Sequence, residues 1–187
     1  VNRTSIDNTL KPLVFLVDFD DEEHEYSRDQ FQSLIFEDDL NPSSANLPSD
    51  YTMSVRDYFD EISYGNQQID GDLESIRPWK KAQYGYSHYV DNAQGTGEGA
   101  NGISQSAASL IVEIAMELEE DGLNFSQFDN GKGAIDVVIL IVAGKGGTST
   151  SHFWPHMFVV PDIDNGLYTI DPDAPANSAG YFSLDGV

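Results

Sequence analysis

Two histidines, His152 and His156, stand four residues apart in the segment HFWPH. At that spacing two imidazoles share one helix face and can ligate zinc. The general base of the zinc-protease pattern is missing, because position 153 is Phe where a Glu is needed, and Pro155 works against a helix here. The segment therefore reads as a loop or strand carrying two unrelated histidines. His24 and His88 are dispersed and add no helical pair. Gly144-Lys145 begins like a phosphate-binding loop, but Gly146 follows where Ser or Thr is required, so GKGGTSTS (144–151) reads as a small polar surface loop. With no cysteine in the chain, a disulfide framework, a Cys-ligated metal and a Cys nucleophile are all excluded.

Carboxylates are the more abundant chemical resource. Asp18, Asp20, Asp21, Glu22 and Glu23 follow the first apolar run, and Asp162, Asp164, Asp171 and Asp173 lie late in the chain. Asp129, Asn130 and Asp136 surround a glycine-containing turn. Calcium takes six to eight oxygens from flexible loops, and none of these clusters follows the twelve-residue calcium-loop pattern. Each reads first as a solvated acidic loop. The candidate calcium site is the set Asp129, Asn130 and Asp136 with nearby carbonyls, which would pin the turn against the strand after it. Lys132 in the same turn is the competing explanation, since its ammonium could supply the positive charge. Glu119, Glu120 and Asp121 crowd the negative end of a predicted helix, which is unfavourable unless a cation or basic group offsets it.

Elements that could position these groups are legible from apolar patterning. Leu13–Val17 and Val137–Ala143 are short, β-branched-rich apolar runs that suit strands covered on both faces. Helices are predicted over Ser104–Asp121, with Ala107, Leu110, Ile111, Ile114, Ala115 and Leu118 inward; over Arg28–Glu37, with Phe31, Leu34 and Ile35 inward; and over Ser54–Ile62, with Val55, Tyr58, Phe59 and Ile62 sharing the inward face. Residues 67–76 are predicted as a strand, and 91–103 as a glycine-rich loop. The expected fold class is α/β: a twisted mixed sheet with helices on both faces. No linker or repeat divides the 187 residues, so 1–187 is expected to be one domain.

Thirty-two acidic against nine basic residues give a net charge of −23. That excludes phosphate-backbone recognition and attraction to an anionic membrane surface. The longest apolar run is far short of the roughly 20 residues of a membrane helix. Aromatics at 11% argue against a disordered acidic tail. The acidity suits a saline setting, where salt screens self-repulsion.

Four stretches together resemble the catalytic domain of the immune inhibitor A-like secreted zinc metallopeptidases. They are PLVFLVDFDDEEH (12–24), SVRDYFDEISYGNQQIDGDL (54–73), NFSQFDNGKGAIDVVILIVAG (124–144) and FWPHMF (153–158). The resemblance implies a bacterial, extracellular zincin-type protease acting on protein or peptide substrates. Its zinc would be held by an HExxH helix whose Glu activates the metal-bound water. In such proteins that helix follows the segment resembling Ser183–Val187, so this chain is expected to be the N-terminal portion of the domain, without zinc ligands or a catalytic residue of its own. The turn departs from the family's acid-rich pattern by its shorter length and by Lys132. The alternative is a non-catalytic binding module or pseudo-protease, discriminated by whether HExxH follows Val187 in the parent protein. A calcium-buffering protein has only the acidity to support it. A monomer is expected.

Overall fold

The computed structural model describes residues 8–129, 135 and 137–157. Asn130, Lys132 and Asp136 of the acidic turn, the carboxylates at 162–173 and the segment 183–187 lie outside the described residues. The elements run β1 (Thr9–Leu10), β2 (Pro12–Asp18), α1 (Arg28–Phe36), α2 (Val55–Ser63), β3 (Gln68–Ile69), β4 (Lys80–Lys81), α3 (Tyr86–Val90), α4 (Ala107–Glu120) and β5 (Val137–Val142). Short 3-10 turns occur at Leu73–Ser75, Gly102–Ser104 and Phe125–Phe128.

β2 is the organising strand. It pairs in parallel with β5 over six residues, from Pro12 opposite Val137 to Val17 opposite Val142, and with β4 at Val17 and Asp18. β1 and β3 form a separate parallel pair. Parallel strands need long crossovers and cover on both faces, and the period-two alternation of β2 supplies two apolar faces. Leu13, Phe15 and Val17 point into a cluster with α3, α4, Phe125 and Phe128. Val14 and Leu16 point the other way, onto Ile35 and Phe36 of α1, Ile69 and Ile76. The expected α/β class with helices on both faces is found. Among the described residues the named strands all pair in parallel, and the antiparallel pairing is the single bridge Asp129–Ile135.

α4 follows the predicted stripe: Ala107, Leu110, Ile111, Ile114, Ala115 and Leu118 are all buried. Ser106 caps it by accepting from the Ser109 N–H. Gly122 closes it with φ +86°, a left-handed conformation that glycine adopts without Cβ strain. Of the crowded carboxylates at its end, Asp121 has a cation in Lys80, whose ammonium lies 2.5 Å from it and 3.9 Å from Glu117. Burial pushes the Glu117 carboxyl above its ordinary range; Lys80 pulls it back, while Glu113, Asp121 and Glu120 push it further up.

Three expectations change. α2 buries Val55 and Phe59 in part, but Tyr58 and Ile62, 48% and 53% exposed, face away from the core. The stripe is wider than the surface available to cover it. Over 67–76 only Gln68–Ile69 is strand, because Asp72 accepts from the Glu74 N–H at 2.8 Å and turns the backbone into a 3-10 helix. On α1, Phe36 joins Ile35 in the core, while Leu34 stays half-buried.

Candidate functional site

The loops that leave the carboxyl ends of β2, β4 and β5 meet on one side of the sheet, the side where open parallel sheets place ligand-binding groups. Asp18 is the last residue of β2 and is largely buried. Its Oδ1 accepts from the His24 backbone N–H at 2.8 Å, and its Oδ2 lies 2.8 Å from His24 Nδ1. The imidazole stacks flat on Trp79, with centroids 4.3 Å apart and planes 7° apart. Trp79 is held in turn by its indole N–H, which donates to Tyr26 O at 3.2 Å. Asp18 thus fixes the ring through Nδ1 and directs Nε2 away from the carboxylate. The carboxylate and the indole together hold the imidazole in one orientation.

The rest of the acidic run has partners of its own. Asp20 pairs with Lys81 at 3.2 Å. Asp21 accepts from the Tyr86 N–H at 2.8 Å and so starts α3. The Tyr86 hydroxyl donates to Lys145 O and accepts from the Phe153 N–H. Burial pushes this phenol up, the Phe153 N–H bond works against that, and the charge of Glu22 adds to it. One side chain therefore ties the 144–153 loop to α3. Gly95 lets Phe153 in: a Cβ there would stand 2.5 Å from the Phe153 ring.

The histidine pair of HFWPH is not on a helix. Phe153 bridges Gly146 in parallel, residues 154–157 carry no regular structure, and His156 Nδ1 contacts Trp154 O at 2.5 Å. Among the described residues, no group of three or more His, Asp or Glu side chains converges closely enough to hold a metal ion. The zinc implied by the resemblance does not fit the described residues. Of the candidate calcium ligands only Asp129 is described, and its backbone bridges Ile135. No described helix is long and apolar enough to cross a membrane.

The Asp18–His24–Trp79 arrangement was missed in the sequence, where His24 read as one of four dispersed histidines. The available signal was an acidic turn, DFDDEEH, directly after a strand. A separate cleft of about 500 Å³ is lined by Thr9, Asp38, Arg56, Asp57, Asp60, Gln68, Ile69 and Asp70. Arg56 there is already committed to Asp38, Ile69 O and Gly71 O.

Comparison with known proteins places these features in a family. The chain matches the immune inhibitor A peptidase M6 catalytic domain over residues 4–146. No curated protein matches it.

Proposed function

The chain belongs to the immune inhibitor A peptidase M6 family, and from that premise we propose that it is the N-terminal portion of the catalytic domain of a secreted bacterial zinc metalloendopeptidase. In this reading residues 1–187 form one monomeric domain. It supplies the sheet, the flanking helices and one wall of the cleft that receives a protein substrate, and it engages neither nucleic acid nor membrane. The observation that carries the reading is the family match over most of the chain, joined to a parallel sheet covered by helices on both faces. The zinc and its activated water would come from an HExxH helix after Val187; the HFWPH segment, bridged at Phe153 and without helix through Pro155, takes no part. The isolated chain, stripped with chelator and re-equilibrated with zinc, is expected to retain no stoichiometric zinc by elemental analysis and to leave casein intact. One tightly held zinc per chain, with casein cleavage abolished in His152→Ala, would overturn this.

The turn holding Asp129, Asn130 and Asp136 is proposed to bind one calcium ion, with Lys132 as the competing source of positive charge. Binding to the native state alone would add about 2.7 kcal/mol at a hundredfold excess over Kd. Calcium is expected to raise the melting temperature of the wild type above magnesium at matched ionic strength, and Asp129→Asn is expected to lose that rise. An equal response to both ions would assign the turn to Lys132 and hydrogen bonds.

A further inference from the structure

Arg28 and Arg77 are drawn together at the start of α1. Arg28 is the first residue of the helix, and its guanidinium reaches across to donate to Ile76 O at 2.6 Å and to Leu73 O. Arg77 follows Ile76 directly, and its backbone N–H donates to Val14 O at 2.8 Å, which anchors it to the central strand. Both side chains are substantially buried, 24% and 13% exposed. Two like charges held this close by backbone anchors repel, and burial together with Arg28 pulls Arg77 below the usual guanidinium range, against the opposing pull of Glu74 and Asp72.

The anions that act on the pair are Glu74 and Asp72, and Arg77 also donates to the Glu74 backbone carbonyl. Glu74 Oε1 lies 3.9 Å from Arg28 and Glu74 Oε2 lies 3.5 Å from Arg77, and its side chain is 81% exposed. One oxygen addresses each guanidinium, at distances longer than a charge-assisted hydrogen bond. Asp72, whose charge also acts on Arg77, is engaged as the acceptor of the Glu74 N–H. The Arg77 Nε–H is the one buried side-chain polar atom without a partner among the described residues. An orphaned donor on a charged group costs free energy, which an acceptor of the right shape recovers. In a chain of net charge −23, a buried pair of guanidiniums with unused donors is a local inversion of the prevailing field.

We propose that Arg28 and Arg77 form a binding site for a small oxyanion, a carboxylate or phosphate-type group that bridges the two guanidiniums and displaces the Glu74 side chain. Glu74 shows the geometry at long range: a two-oxygen group spans the pair. A ligand not tethered to the 73–75 turn can approach the exposed edge of the pair more closely than Glu74 does. Guanidinium suits this because its planar fork of N–H groups matches two oxygens at once, which a lysine ammonium cannot do.

The test uses the whole chain and titrates sodium acetate, sodium phosphate and sodium sulfate against sodium chloride at matched ionic strength, following melting temperature and heat of binding. At least one oxyanion is expected to bind saturably and to raise the melting temperature above chloride. Acetate acting best would assign a carboxylate, and phosphate or sulfate acting best a tetrahedral oxyanion. Arg77→Lys is expected to weaken binding about tenfold or more through loss of the fork. Glu74→Gln disturbs little because the side chain is exposed, and it is expected to tighten binding several-fold by removing the internal competitor. A response indistinguishable from chloride, or affinity unchanged in Glu74→Gln, would overturn the proposal even if Arg77→Lys failed to fold.

Discussion

Phe15→Ala is expected to lower the free energy of unfolding by about 3–5 kcal/mol, the range for deleting a fully buried aromatic ring from a close-packed core. Phe15 is 1% exposed and sits mid-strand in β2, opposite Leu140. Its face of the sheet is closed by α3 and α4. Because β2 lies between β4 and β5 with helices on both sides, neighbouring backbone has little freedom to collapse into the space the ring leaves. Urea denaturation checks this, with the midpoint falling and the slope unchanged. Tyr58→Ala, in a residue 48% exposed on α2, is expected to stay within about 0.5 kcal/mol of wild type. Equal losses at the two positions would mean that the α3–α4 face is not the packed layer described.

The same contrast explains what the sequence could disclose. β2, β5 and α4 carry long apolar patterns, and long patterns have a readable period. β1, β3 and β4 are two residues each, too short for any period, and Lys80-Lys81 is wholly charged. β4 is a strand only because Ile76 and the residues after it run alongside β2. α3, at five residues, is held by Asp21 and Tyr86, contacts made across 65 and 59 residues of chain that no local window contains. The inward face of α2 was overestimated for a related reason: a helical stripe records which residues share a face, whereas burial depends on what the rest of the fold places against it. The carboxyl-end site was half legible. The acidic run after β2 stood out, but the partner of each carboxylate, whether His24, Lys81 or the Tyr86 N–H, was set by tertiary placement. The arginine pair left no local trace, since Arg28 and Arg77 meet only through crossing chain segments.

Asp57→Ala is expected to cost about 2–3 kcal/mol, more than the roughly 1 kcal/mol of an ordinary helix cap. Its carboxylate accepts from the Ser54 N–H at 3.3 Å in a capping box, with Ser54 Oγ accepting from the Asp57 N–H at 3.0 Å in return. It also accepts from the backbone N–H groups of Asp39 at 3.2 Å and Leu40 at 3.3 Å. One side chain therefore starts α2 and fixes the turn after α1, where Asp39 has φ +52° and Leu40 enters the core. Alanine would leave three donors without that acceptor. Burial pushes the Asp57 carboxyl up, but the bonds from Ser54, Leu40 and Asp39 outweigh it and hold the group below its ordinary value of 3.8. A carboxyl lowered in the folded state contributes stability that is present above the unfolded pKa and is lost as pH falls through the folded one. The difference between wild type and Asp57→Ala is thus expected to be full at pH 7 and to shrink as the pH falls below the ordinary carboxylate value. Paired urea titrations across that range decide it: a difference that stays constant down to the lowest pH at which both proteins fold would show that Asp57 acts through packing, and that its charge does not hold the two helices in register.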